Sequence, residues 1–305
     1  MQIKIVMYHY VRQIQDSKYP NIKGLEISAF KRQIKWFQQR FNFISAKQIL
    51  NAIYFNELVP NNSISLTFDD GLKDHYSNVF PILKKEKIQG MFFVSGEPLE
   101  NQVVLYVHKL QFIIEKCPIS KILKELMGFI QDNKSKYDLL DFNEYKKKLS
   151  TTDPFDDPET VLIKRILQFG LAMNARKQFI DDLFFKYVTK DEKSFSKELY
   201  LSMDDIHEMK EGGMYFGSHA YSHEWLEFTH LKNELEKTIR SYSKINPDKN
   251  SWMMAYPSGS YNPTVIDEIK KLGFRAGLIF EQKEAILDKD HAFILNRFDT
   301  NDFPQ

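Results

Sequence analysis

The sequence predicts an α/β fold built on parallel strands, and three observations support this. Short apolar runs typical of buried strands alternate with segments of helical periodicity over residues 1–98 and again over residues 199–300. Residues 99–198 instead carry apolar side chains at helical spacing, which indicates a helical insertion. Polar residues suited to catalysis follow directly after several predicted strands. We therefore predict one domain over residues 1–305 with a helical insertion at 99–198.

Composition limits the classes of partner that the chain can have. The formal net charge of +1 gives no electrostatic reason to expect a nucleic acid or an anionic membrane surface as a partner. Cys117 is the one cysteine, so an internal disulfide is ruled out. No stretch approaches the 18 apolar residues of a membrane span. The chain enters a strand-like run at once, without a leader pattern, so we expect a cytoplasmic protein.

The N-terminal part is predicted to contain a strand, two helices, a strand, a helix and a strand. Ser28 can cap the first helix, and Ser45 with Gln48 three residues later has the pattern of a capping box. The elements in order are a strand ending at Tyr8-His9, helices after Ser28 and Ser45, a strand at Ile64–Phe68, a helix containing Pro81, and a strand at Met91–Val94. A strand, helix and strand at this spacing form a βαβ unit, which builds parallel sheets or barrels.

The C-terminal part resumes the same alternation. Ser202, with Asp205 three residues later, is a good N-cap, and Gly273 follows the last predicted helix as a C-terminal signal. The predicted elements are a helix after Ser202, strands at Met214–Phe216, Trp252–Tyr256, Phe274–Phe280 and Phe293–Phe298, and helices at Thr229–Ile245 and Pro263–Leu272.

Two pairs of polar residues at predicted strand ends suggest a metal-dependent hydrolytic site. Asp69 and Asp70 end one strand, and adjacent residues leaving a strand point in different directions. His219 and His223 are four residues apart, so on a helical first turn both imidazoles could bind one ion. Taken alone, the aspartate pair could instead belong to an ordinary Asp-Asp-Gly turn. The histidine pair, taken alone, could instead lie on a solvated helix face. Two imidazoles and one carboxylate together are the ligands of a hydrolytic zinc site, and the second carboxylate could act as a general base.

The motifs TFDDG at 67–71, SHAYSH at 218–223 and AYPSG at 255–259 resemble, in that order, the first three motifs of the polysaccharide deacetylases, also called the NodB-homology family or carbohydrate esterase family 4. The resemblance covers roughly residues 1–98 and 199–300. It implies a distorted (β/α) barrel, Zn²⁺ or another divalent ion such as Co²⁺ or Ni²⁺, and hydrolysis of N-acetyl groups on amino sugars. It also implies site residues, namely Asp69 as the base, Asp70, His219 and His223 as metal ligands, and Tyr256, Pro257 and Ser258 along the substrate groove.

The chain departs from the family pattern in two places. Ala255 stands where the third motif usually begins with an arginine that orients the base, and the usual Leu-x-His that supplies the general acid has no match after residue 274. Tyr8-His9 resembles the arrangement of the poly-N-acetylglucosamine deacetylase type, whose motif order is circularly permuted. This resemblance makes His9 the candidate acid, and Arg297 could replace the missing arginine. His291 is the second candidate for the acid.

Aromatic and histidine residues near these motifs allow more than one interpretation. Tyr8 and Tyr256 could stack on a sugar or belong to the core, and the sequence leaves both open. His75 is predicted to be structural or exposed. The leading hypothesis is a deacetylase of an N-acetylated sugar, polymeric or a precursor. The alternatives are a metal amidohydrolase that acts on a non-sugar amide and a catalytically inactive glycan-binding homologue.

Overall fold

The strands that the structure describes form one curled, mostly parallel sheet. A computed structural model describes residues 1–152 and 157–305. The strands are β1 Gln2–Tyr8, β2 Asn42–Phe43, β3 Ser63–Phe68, β4 Gly90–Val94, β5 Tyr215–Ser218, β6 Met253–Ala255, β7 Ala276–Leu278, β8 Ala285–Ile286 and β9 Phe298–Asp299. Their order is β7-β6-β5-β4-β3-β1-β8, with β2 paired to β3 and β9 paired to β1. Only the β1–β8 pair among them is antiparallel.

The extended segment 295–299 links the two sides of the sheet. Leu295 forms a parallel bridge with Leu278 in β7, and Phe298 pairs with Val6 in β1. The strands therefore curl round into the distorted (β/α) barrel that was predicted. Because the strands are parallel, their carboxyl ends meet at one rim, which is where the polar motifs lie.

Helices connect the strands of the sheet and also make up the described part of the segment at 104–195. They are α1 Ile27–Gln38, α2 Ala46–Phe55, α3 Phe80–Glu86, α4 Gly96–Asn101, α5 Tyr106–Lys116, α6 Ile119–Tyr137, α7 Phe142–Leu149, α8 Pro158–Arg165, α9 Met173–Tyr187, α10 Glu192–Leu199, α11 Met203–Glu211, α12 Leu231–Ile245 and α13 Pro263–Leu272. Single π-helical turns at His75–Val79 and Ile166–Gly170 precede α3 and follow α8.

The chain divides into two compact units. The first contains Met1–Val103 and Ser196–Gln305, and the second is Val104–Phe195. The second unit is helical in the described residues and has its own apolar core, in which α5 packs against α9. Residues 153–156 of the predicted insertion lie outside the described residues. A single domain with an insertion at 99–198 stays our interpretation of this arrangement.

Local sequence signals account for several element boundaries. Ser45 and Gln48 form the predicted capping box at α2, as Ser202 and Asp205 do at α11, and Gly273 ends α13 at a φ of 101°. Ser28 does not cap α1, because that helix begins at Ile27 and its N-cap is Glu26.

Strand length was the less accurate part of the prediction. The predicted strand Phe293–Phe298 is reduced to a bridge at Leu295 followed by β9, and the predicted strand Phe274–Phe280 is reduced to Ala276–Leu278. An apolar run marks burial, but the number of residues that pair depends on where the neighbouring strand lies.

Candidate active site

The carboxyl ends of neighbouring strands bring the predicted site residues together. Asp69 and Asp70 follow β3, and His219 follows β5, with β4 between these two strands. The backbone N–H of Asp69 donates to the carbonyl of Tyr8 at the end of β1, and the N–H of His219 donates to the carbonyl of Val94 at the end of β4. The pairing of the parallel strands therefore extends as far as Asp69 and His219, the first candidate site residue of each motif.

Asp70, His219 and His223 form a buried cluster that fits a divalent metal ion. Nε2 of His223 lies 3.3 Å and Nε2 of His219 lies 3.5 Å from Oδ1 of Asp70. One donor atom from each of the three lies within 4.8 Å of the others. Ligands about 2.1 Å from a tetrahedral zinc ion are separated by about 3.4 Å. The donor types and these spacings therefore fit the ion that the family resemblance implies.

The histidine loop, which we define as residues 219–223, is not the helical turn that the spacing predicted. Residues 219–223 are non-helical, and Ala220 and His223 both have a φ of 59°, in the left-handed region. The two imidazole rings still lie together, with centroids 4.8 Å apart. The interpretation of a helical first turn is wrong, because two left-handed residues, and not helical periodicity, direct both rings to one side.

His219 presents its Nε2 lone pair to the cluster. Its Nδ1 lies 2.7 Å from the carbonyl oxygen of Ala255. A carbonyl can only accept, so Nδ1 carries the proton and donates it, which leaves Nε2 free to bind a metal. Burial lowers the pKa of His219 to about 4, despite the opposing charges of Asp69 and Asp70. The imidazole is therefore neutral at neutral pH, the form that a ligand needs.

Asp69 is paired with Arg297 in a buried, bidentate ion pair. Nη1 of Arg297 donates to Oδ1 of Asp69 and Nη2 contacts Oδ2, each at 2.8 Å. Both residues are 1% exposed. Burial by itself would raise the pKa of Asp69, but the charge of Arg297, with smaller effects from His219 and His9, holds it below the ordinary value. The predicted contact between Arg297 and Asp69 is thus present, although Arg297 reaches it from the residue before β9.

His9 follows β1 and is partly exposed. Its backbone carbonyl accepts a hydrogen bond from Nε2 of His75 at 2.9 Å. His75 itself is buried, on the π-helical turn that follows the TFDDG motif, and burial lowers its pKa to about 4. The structural interpretation of His75 is therefore supported, and an exposed position is excluded.

No motif in the sequence indicates that this π-helical turn contacts the residues that follow β1. From the same turn the amide nitrogen of Asn78 donates to the carbonyl of Val11 at 2.8 Å, and just before the turn Asp74 accepts from Nε of Arg12 at 2.6 Å. Turns of this kind are often found at functional sites. The identity of Asn78 carried no motif signal that could have marked this role.

The predicted substrate-binding residues separate into buried and exposed ones. Tyr8 and Tyr256 are each 1% exposed, and their hydroxyls donate to Gln33 and to the carbonyl of Phe293. The prediction that either ring stacks on a sugar is therefore wrong, because core packing leaves no ring face open. Pro257 is also buried, whereas Ser258 is exposed at a φ of 54°.

Comparison with known proteins identifies the class to which this fold and site belong. The family model described as polysaccharide deacetylase matches residues 57–127 and 177–277, together more than half of the chain. The chain therefore belongs to the polysaccharide deacetylase family. The match enters both flanks of the predicted insertion at 99–198 and leaves out residues 128–176 within it. It also leaves out residues 1–56 and 278–305, so at both ends it is shorter than the resemblance predicted over 1–98 and 199–300.

One curated relative and several solved structures are similar to the chain. YxkH of Bacillus subtilis (strain 168), named for the same family, is 22% identical over 102 residues, which are 33% of this chain and 34% of YxkH. The match thus spans about a third of that relative.

The solved structures have low sequence identity but share the fold. The Streptococcus pyogenes deacetylase PplD in complex with acetate has a TM-score of 0.61 at 18% identity and covers 98% of this chain and 92% of its own. IcaB from Ammonifex degensii has a TM-score of 0.58 at 15% identity, with 99% and 93% covered. In the described residues, no helix is both long and apolar enough to cross a membrane.

Proposed function

We propose that this protein is a metal-dependent hydrolase that removes N-acetyl groups from an amino-sugar-containing glycan or glycan precursor. The observation that carries the proposal is the buried Asp70–His219–His223 cluster beside the Asp69–Arg297 ion pair. Family membership supports a deacetylase. The Streptococcus pyogenes deacetylase PplD is similar in fold, although its sequence identity is only 18%.

Asp70, His219 and His223 would hold the ion, with zinc as the first candidate and Co²⁺ or Ni²⁺ as alternatives. A bound divalent ion supplies water of lowered pKa and polarises the acetamide carbonyl. The donor set of one carboxylate and two imidazoles is one that zinc hydrolases use, and it leaves a coordination position open. The other residues of the site would manage protons and orientation.

Asp69 would act as the general base. Arg297 keeps its carboxylate ionised and holds both oxygens in fixed positions, so an Oδ atom is available to accept a proton from the attacking water. The water oxygen forms a bond to the acetyl carbonyl carbon. The carbon–nitrogen bond then breaks, and acetate and an amine leave.

The departing amine needs a proton, because an amide anion is a very poor leaving group. We assign this proton to the imidazole of His9, which is partly exposed. His9 and Asp69 each follow one residue of the pair Tyr8–Phe68, at the carboxyl ends of the parallel strands β1 and β3. Ser258, exposed at the corner after β6, is the residue whose backbone would contact the acetyl oxygen.

The test is acetate release from a panel of N-acetylated glycans, nucleotide sugars and non-sugar acetamides, with and without a chelator. Asp69→Asn should reduce turnover about 10²–10⁴-fold and leave metal binding intact, since the base is lost but the ligands are not. Asp267→Asn makes the same chemical change at an exposed position and should have no effect. Activity restricted to non-sugar amides would favour the amidohydrolase, and glycan binding without acetate release would favour an inactive homologue.

A further inference from the structure

The histidine loop is held in an unusual backbone conformation. Ala220 and His223 lie in the left-handed region, which non-glycine residues rarely adopt. Such a conformation persists only where surrounding contacts fix it. Sequence spacing alone does not explain why His219 and His223 converge, so the contacts of the residues between them are decisive.

The carbonyl groups on one side of the loop are held by the N-terminus of α4. Ser95 Oγ donates to the carbonyl of His219 at 2.9 Å. The N–H groups of Gly96 and Glu97 donate to the carbonyls of Ala220 and Tyr221, at 3.2 and 2.8 Å. These contacts fix the carbonyls but leave the N–H groups of Tyr221 and Ser222 to be satisfied from elsewhere.

Glu234, from the first turn of α12, satisfies these N–H groups. Its Oε1 accepts from the N–H of Tyr221 at 2.8 Å and from that of Ser222 at 2.7 Å, and its Oε2 accepts from the hydroxyl of Ser222 at 2.8 Å. Glu234 is 5% exposed. A buried carboxylate is costly without such partners, so the three bonds fix the carboxylate and the loop together.

We propose that Glu234 is a positioning residue that sets the metal affinity of the site by holding the histidine loop. It contacts the two residues between Ala220 and His223 and neither imidazole, so it acts through the backbone. The inference rests on the proposed function, because it takes Asp70, His219 and His223 as metal ligands. It adds a residue outside the three motifs to the machinery of the site.

The experiment measures zinc binding by calorimetry on the full chain, first stripped of metal, with zinc chloride as the only ligand. Glu234→Ala should raise the Kd for zinc about 10–100-fold, the usual effect of losing a group that orients metal ligands. Glu234→Asp has a shorter side chain and should give a smaller loss. Glu234→Gln can keep all three bonds, because Oε1 still accepts both N–H groups and Nε2 can donate to the hydroxyl of Ser222.

Normal zinc affinity in Glu234→Gln would show that Glu234 acts by positioning the loop and not by its charge. Two further measurements distinguish positioning from general destabilisation. The Co²⁺ absorption spectrum should match the wild type in Glu234→Gln and differ in Glu234→Ala. Glu236→Ala, at an exposed position on the same helix, is the matched control and should bind zinc normally. Urea unfolding of each metal-free variant establishes that the variants are folded.

Two results overturn the inference, and they are distinguishable. If the wild type binds zinc and releases acetate but Glu234→Ala and Glu234→Asp bind zinc equally well, the positioning role is refuted and the proposed function stands. If the wild type binds no zinc, the metal site itself is refuted and the inference falls with it. If Glu234→Ala does not fold, the Kd for zinc of Glu234→Asp is compared with that of the wild type, and an unchanged Kd refutes the positioning role.

Discussion

Replacing Arg297 by methionine isolates the contribution of the buried ion pair to folding. The two contacts between Arg297 and Asp69 are 2.8 Å long, and both side chains are almost completely shielded from water. Unit charges about 4 Å apart interact by roughly 4 kcal/mol at an effective dielectric of about 20. Removing one partner of a buried pair typically costs about 3–5 kcal/mol, because the other charge stays buried and unpaired. We expect a loss in this range for Arg297→Met.

The pH dependence of this loss gives a sharper test than its size. In the wild type the pKa of Asp69 is below its ordinary value of 3.8, so the pair stabilises the fold above pH 3.8, and this stabilisation is lost as the pH falls through the lowered pKa. In Arg297→Met the burial of Asp69 is no longer opposed by Arg297, so its pKa rises and the carboxyl takes up a proton at higher pH. The stability difference between variant and wild type should therefore shrink as the pH is lowered.

The assay is urea unfolding of the metal-free protein, with chelator present, at a series of pH values from neutral to about 4. Asp69→Asn and the double variant complete a double-mutant cycle, and we expect a coupling energy of about 2–3 kcal/mol between Arg297 and Asp69. Arg297→Lys keeps the charge without the bidentate geometry and should be intermediate. A loss that is independent of pH, or a coupling energy near zero, would show that methionine acts only through altered packing.

Three further outcomes follow from the site and the fold. His9→Ala should reduce turnover about 10²–10⁴-fold, because this is the usual contribution of a general acid. Calorimetry should show unchanged zinc binding in this variant, and unchanged turnover would exclude His9 as the acid. Asp70→Ala should abolish zinc binding and acetate release together, and zinc retention measured by elemental analysis would contradict the ligand assignment. Ser45→Ala, remote from the motifs, should cost about 1 kcal/mol in urea unfolding through loss of the capping box and leave the kcat unchanged.

The elements that carry the site could be predicted because their signals are local. Apolar residues alternate with Ser65 and Thr67 from Ile64 to Phe68, in a run short enough to be a buried strand, and its carboxyl end is marked by two aspartates and a glycine. The capping boxes at Ser45 and Ser202 depend on residues three apart. In each case the physical cause lies within a few residues, so one sequence is enough to recognise it.

The parts that could not be predicted depend on contacts across the sheet. Nothing near Tyr8 or Tyr256 indicates that core packing would cover both rings, because that depends on partners such as Gln33, 25 residues from Tyr8. Likewise, the pairing of Arg297 with Asp69 joins residues 228 apart. We could predict this pair only because the family resemblance implies an arginine beside the base, and Ala255 stands where that arginine is usually found.

The backbone conformations at the site explain why the spacing of the motifs predicts where the site residues lie but not how their side chains are directed. Asp70, Ala220, His223 and Ser258 all have positive φ, and all lie within or beside the three motifs. None is glycine, so each position accepts backbone strain of about 1–3 kcal/mol to keep a side chain. At Asp70 and His223 the retained side chain is a candidate ligand. At Ala220 only a methyl group is kept, so the strain there has to be balanced by the contacts of the surrounding loop. The hydrogen bonds that the loop accepts from the N-terminus of α4 and donates to Glu234 are placed to do so.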